Sequence, residues 1–106
     1  MEPPKIKVLG IAPYEAMKNV MEKLARKRPQ MEMDVYVGDL KKGVDIAQKN
    51  IQGNYDVIIS RGGTAEMIGK VTHIPVIEIS LSVYDILRAM KLAENYSDKY
   101  AVVGFP

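Results

Sequence analysis

The chain has 106 residues, 47% of them hydrophobic and 26% charged, which is room for one compact soluble domain and not for two. Fifteen Lys and Arg against thirteen Asp and Glu leave a formal charge of +2, too small to imply nucleic acid or a membrane surface as partner of the whole domain. Cysteine is absent, which excludes disulfides, thiol nucleophiles, iron–sulfur clusters and cysteine zinc motifs, and the single His73 leaves too few ligands for a histidine metal site.

The opening Met1-Glu2-Pro3-Pro4 and the short apolar run Ile6 to Ala12 lack the basic flank and length of a signal peptide. No stretch approaches membrane-spanning length, so a cytoplasmic setting is expected. Ile6, Val8, Leu9 and Ile11 predict a first strand ending in the turn Gly10 to Pro13. Tyr14, Met17, Val20, Met21 and Leu24 recur at helical spacing. Arg26-Lys27-Arg28 end that helix, where cations suit the negative pole of its dipole, and Pro29 stops it. The same three charges could instead form a phosphate-binding patch.

Met31, Met33, Val35 and Val37 alternate with Glu32, Asp34 and Tyr36, the pattern of an edge strand buried on one face. After Gly38-Asp39, a second helix follows from Leu40, Val44, Ala47 and Ile51, closed by Gly53-Asn54. Val57-Ile58-Ile59 is unbroken and apolar, as a central strand covered on both faces would be. Ser60-Arg61-Gly62-Gly63-Thr64 leads into a short helix from about Ala65 to Lys70. Ile74 to Ile79 predicts a fourth strand with Pro75 near its start. Ser82 and Asp85 fit a capping box, opening a helix with Val83, Ile86, Leu87, Met90 and Ala93 on its buried stripe. Tyr100 to Phe105 predicts a fifth strand.

Strands alternating with helices make this an α/β fold with a parallel sheet. An alternating second strand and a continuous third favour the flavodoxin-like, Rossmann-like order 2-1-3-4-5, in three layers. In that order the first and fifth helices cover one face. No fifth helix exists here, so the final covering helix is lacking and apolar side chains over strands three to five are expected to face water. The expectation is one lobe, residues 1–106, whose cover is supplied by a second lobe or a second copy, as in a homodimer.

Ligands of such sheets bind beyond the carboxyl ends of the strands, where strand order reverses. The loops there are Gly10 to Tyr14 and Ser60 to Thr64, with Ser80 to Tyr84 as a third wall. Gly62 and Gly63 permit close backbone approach, the helix behind them turns N–H groups to an anion, and Arg61 can clamp a carboxylate. A tight strand-to-helix turn with a solvated Arg61 accounts for the same residues. Ser80, Ser82 and Tyr84 bring hydroxyls to this rim, though Ser82 also serves as a plain helix cap. No dinucleotide fingerprint or P-loop occurs, so no cofactor is expected. A receiver-type acidic pocket is missing, since Ser60-Arg61 ends strand three and Asp56 stands at its other end. With His73 in a distant loop, no hydrolase triad can assemble, and enzyme function is disfavoured.

Together, Asp56 to Ala65, Ile74-Pro75-Val76-Ile77-Glu78-Ile79 and Tyr84-Asp85-Ile86-Leu87-Arg88-Ala89 resemble the N-terminal sensory domain of propionate catabolism activators. These are sigma-54-dependent transcription regulators, and the resemblance runs from about Ile6 to Phe105. Val83 stands where family members commonly have Gly. The resemblance implies two α/β lobes with an organic acid such as 2-methylcitrate between them. In the parent protein, ligand binding relieves inhibition of an ATP-binding AAA+ domain, and a helix-turn-helix binds DNA. Arg61, Gly62, Gly63, Thr64, Ser82 and Tyr84 are the effector-contacting positions it implies.

Overall fold

The computed structural model describes residues 5–80 and 82–96. Four parallel strands form one sheet in the order β2-β1-β3-β4, with β1 at Ile6–Ala12, β2 at Met31–Val37, β3 at Val57–Arg61 and β4 at Val76–Ile79. β1 pairs with β2 from Ile6↔Met31 to Ala12↔Val37, and with β3 from Val8↔Val57 to Ile11↔Ser60. Having neighbours and covering helices on both sides, β1 is buried at all but one position. At the edge, β2 buries Met31 and Val35 and exposes Glu32, Asp34 and Tyr36, as its alternation requires. The expected strand 100–105 lies outside the described residues.

The helices between strands are α1 (Glu15–Ala25), α2 (Lys41–Asn50) and α3 (Gly62–Gly69), followed by α4 (Val83–Ala93). α2 and α3 cover one face, where Ala47 and Ile68 pack with Leu9, Ile11 and Ile58. Gly43 lets α2 approach α3 closely, because a Cβ there would collide with the Thr64 methyl group. α1 covers the other face with Met17, Met21 and Ala25 over Ile6, Val8, Met31 and Val35.

One expectation is overturned. The face over β3 and β4 is not bare: α4 lies beside α1 and buries Ile86, Ala89, Met90 and Ala93 in the same core as Val57, Ile59, Ile77 and Ile79. Ile59, Ile77 and Ile79 are only 0%, 9% and 2% exposed, so among the described residues α4 already covers the face expected to be bare. The reason lies in the alternation of β4. Ile77 and Ile79 point to the α1 face, whereas Val76 and Glu78 point to the other. Placing α4 on the α2–α3 side, as a strict doubly wound order demands, would press an apolar stripe onto the Glu78 carboxylate.

Two ties complete the packing. Arg28, in the loop after α1, donates from Nε and Nη2 to the two carboxylate oxygens of Glu94 at 2.8 and 2.7 Å, joining the lower ends of α1 and α4. The buried Ser60 hydroxyl donates to the Ile11 carbonyl at 3.0 Å, and no buried side-chain nitrogen or oxygen among the described residues lacks a partner.

Candidate functional site

At the carboxyl end of β3 the chain turns directly into α3, three residues earlier than the sequence suggests, so Gly62 and Gly63 form its first turn. Gly62 adopts φ +43°, the left-handed region, with open space where a Cβ would stand. Backbone conformation, not crowding, therefore calls for glycine here. Arg61 precedes it, extended and exposed. Arg61 pairs in register with Ile79, so its side chain leaves the sheet on the α4 side.

These residues open onto a groove of about 560 Å³ over the carboxyl ends of β3 and β4, lined by Arg61, Gly62, Glu78, Ile79, Ser80, Asp85 and Arg88. It lies one strand beyond the reversal between β1 and β3, so the loop after β4 is its principal wall. The loop after β1 lines a separate cleft: Tyr14 joins Ala16, Met17, Val20, Val83 and Ile86 around an apolar hollow of about 120 Å³ between the upper ends of α1 and α4.

Asp85 organises the groove. One carboxylate oxygen accepts from the Ser80 backbone N–H, and the other accepts from Nε and Nη2 of Arg88 at 3.0 and 2.6 Å. The Arg88 hydrogen bonds, then that from Ser80, hold the Asp85 carboxyl below the usual carboxylate range. The capping box is thus half formed. Ser82 caps α4, its hydroxyl accepting from the Tyr84 N–H at 3.1 Å, while Asp85 reaches past the cap residue to Ser80.

The six expected contact residues separate. Arg61 and Gly62 line the groove. Gly63 faces the Leu40 side chain, which would lie 3.5 Å from a Cβ on it. Thr64 is buried, its hydroxyl donating to Asp39 at 2.9 Å and accepting from the Leu40 N–H at 2.8 Å. That clamp holds Leu40 at φ +48°, a conformation leucine rarely adopts. Ser82 is engaged as a cap, and Tyr84 stands 85% exposed on the rim. Sequence reasoning missed Glu78 and Arg88. The signal for Arg88 was its place three residues after Asp85, on the same helix face.

Among the described residues, no group of three or more His, Cys, Asp or Glu could hold a metal ion, and no helix is long and apolar enough to cross a membrane. No curated protein and no solved structure matches the chain. A family match does exist: residues 27–106, from just after α1 to the last residue, match the family described as propionate catabolism activator. With three quarters of its length inside that match, the chain belongs to the propionate catabolism activator family, in its N-terminal sensory domain.

Proposed function

We propose that this chain is the ligand-sensing lobe of a cytoplasmic transcription regulator, binding a small organic acid of the 2-methylcitrate kind at the Arg61 groove. The observation that carries the reading is a guanidinium beside an open glycine turn, at the carboxyl ends of a parallel sheet, in a chain of this family. Arg61 and the N–H groups behind Gly62 suit a carboxylate.

A second lobe, or a second copy in a homodimer, closes over the ligand. Four large apolar residues at this end of the sheet support that partner: Tyr14, Leu40, Val83 and Tyr84 are all exposed, each after a strand's carboxyl end. Closure shifts the population of lobe arrangements and so alters contacts with the output domains of the parent, a sigma-54-directed ATPase and a DNA-binding segment. The role is binding and not catalysis. His73 sits in the loop entering β4, at the opposite end of the sheet from the groove, and the Asp85 carboxylate beside Ser80 is taken up by Arg88 and by the Ser80 backbone N–H instead of by a hydroxyl.

Calorimetric titration with di- and tricarboxylic acids tests the reading. Binding heat that disappears in Arg61→Ala is expected. Heat retained in that variant refutes the site, and steady turnover of any such acid would replace sensing by enzymatic activity.

A further inference from the structure

Resting on the reading that the groove takes an organic acid, we propose that Arg88 is its second carboxylate-binding residue. Arg61 and Arg88 then act together and select ligands with two or more carboxylates over those with one. The position of α4 is what makes this possible. On the α2–α3 side of the sheet Arg88 would be remote from Arg61; beside α1 it shares the groove into which Arg61 projects.

Arg88 is held ready for that role. Its Nε and Nη2 both point at one oxygen of Asp85, whose other oxygen is fixed by the Ser80 backbone. A long side chain anchored in this way loses less freedom on binding, and its remaining N–H groups stay available to an acceptor. The side chain is 57% exposed, so a ligand can reach it from solvent. Glu78 also lines the groove, but strand alternation places it on the α3 side, with Val76, while Arg61 and Ile79 face α4. On the α4 side Asp85 offsets one of the two guanidinium charges and leaves the other to a ligand; with Glu78 counted, the lining as a whole is formally neutral. Its volume is in the range of small-ligand sites.

The test is an NMR titration of the ¹⁵N-labelled 106-residue chain with citrate, succinate and acetate at low ionic strength. In Arg88→Gln, citrate affinity is expected to fall about tenfold or more while acetate affinity holds, because charge-assisted forks are lost only where a second carboxylate is present. Arg88→Lys is expected to recover part of the loss, keeping the charge without the planar fork. The dispersed spectrum of each variant reports its fold. Citrate affinity unchanged in Arg88→Gln but lost in Arg61→Ala overturns the role of Arg88 and leaves the organic-acid reading standing. Equal loss for acetate and citrate overturns the selectivity. No shift of the unaltered chain with any of the three acids overturns both readings.

Discussion

Truncation of Ile79 to alanine tests the feature on which the groove depends, the lodging of α4 over β3 and β4. Ile79 is 2% exposed in the core shared with Ile86 and Met90. Losing its outer methyl and methylene groups forfeits about 2.4 kcal/mol of transfer free energy, at roughly 0.8 kcal/mol per CH₂. A residual cavity on the order of 50 Å³ adds about 1 kcal/mol, for a total near 3 to 4 kcal/mol. A domain of this size has about 5–15 kcal/mol of stability, so the variant should still fold. Urea unfolding followed by circular dichroism measures the loss. Glu78→Ala is the matched control: the neighbouring side chain faces the other way and is exposed, so its removal should change stability by less than about 0.5 kcal/mol. If Ile79→Ala costs under about 1 kcal/mol, α4 does not cover this face and the reasoning about the groove fails with it.

Two glycine substitutions should act with opposite signs in the same unfolding assay. Gly43→Ala drives a methyl into Thr64 and to 3.2 Å from the Gly38 carbonyl oxygen, costing about 1–2 kcal/mol after the better helix propensity is allowed for. Gly69→Ala meets nothing within 4 Å and should stabilise by about 0.5–1 kcal/mol. Tyr55 should ionise at higher pH than an ordinary tyrosine in an alkaline absorbance titration. Partial burial, then the 2.7 Å hydrogen bond to Asp34, raises its pKa above the ordinary 10.0. Because the folded phenol keeps its proton longer than the unfolded one, stability is present below about pH 10 and lost as pH rises further, and Tyr55→Phe should remove the delayed step. For Arg28 and Glu94, a double-mutant cycle should give a coupling of about 1 kcal/mol, reduced in concentrated salt; additivity within about 0.2 kcal/mol would mean the pair is incidental.

Much of the fold was legible because the periods were clean. The alternation of Met31 to Val37 marked an edge strand, the unbroken Val57-Ile58-Ile59 a central one, and α1, α2 and α4 begin and end within a residue or two of their apolar stripes. The face taken by α4 is also written in Val76-Ile77-Glu78-Ile79, but strand order alone does not reveal it: the alternation decides which side of β4 tolerates an apolar helix. The start of α3 was hidden because glycines read as turn, whereas here a left-handed Gly62 lies inside the first helical turn. Thr64 carried no sign of its clamp on Asp39 and Leu40, nor Arg28 of its bond to Glu94. Such pairings join residues 25 and 66 positions apart, and only the folded chain brings them together.

The Arg28–Glu94 tie also has a mechanical meaning. It fastens α1 to α4 at the end remote from the groove, while the opposite ends are separated by the small apolar hollow under Tyr14 and Val83. A rod riveted at its foot and loosely packed at its head swings about the rivet and does not slide. A pull on Arg88 or Asp85 would accordingly appear as a tilt of α4, greatest at Val83 and vanishing at Glu94.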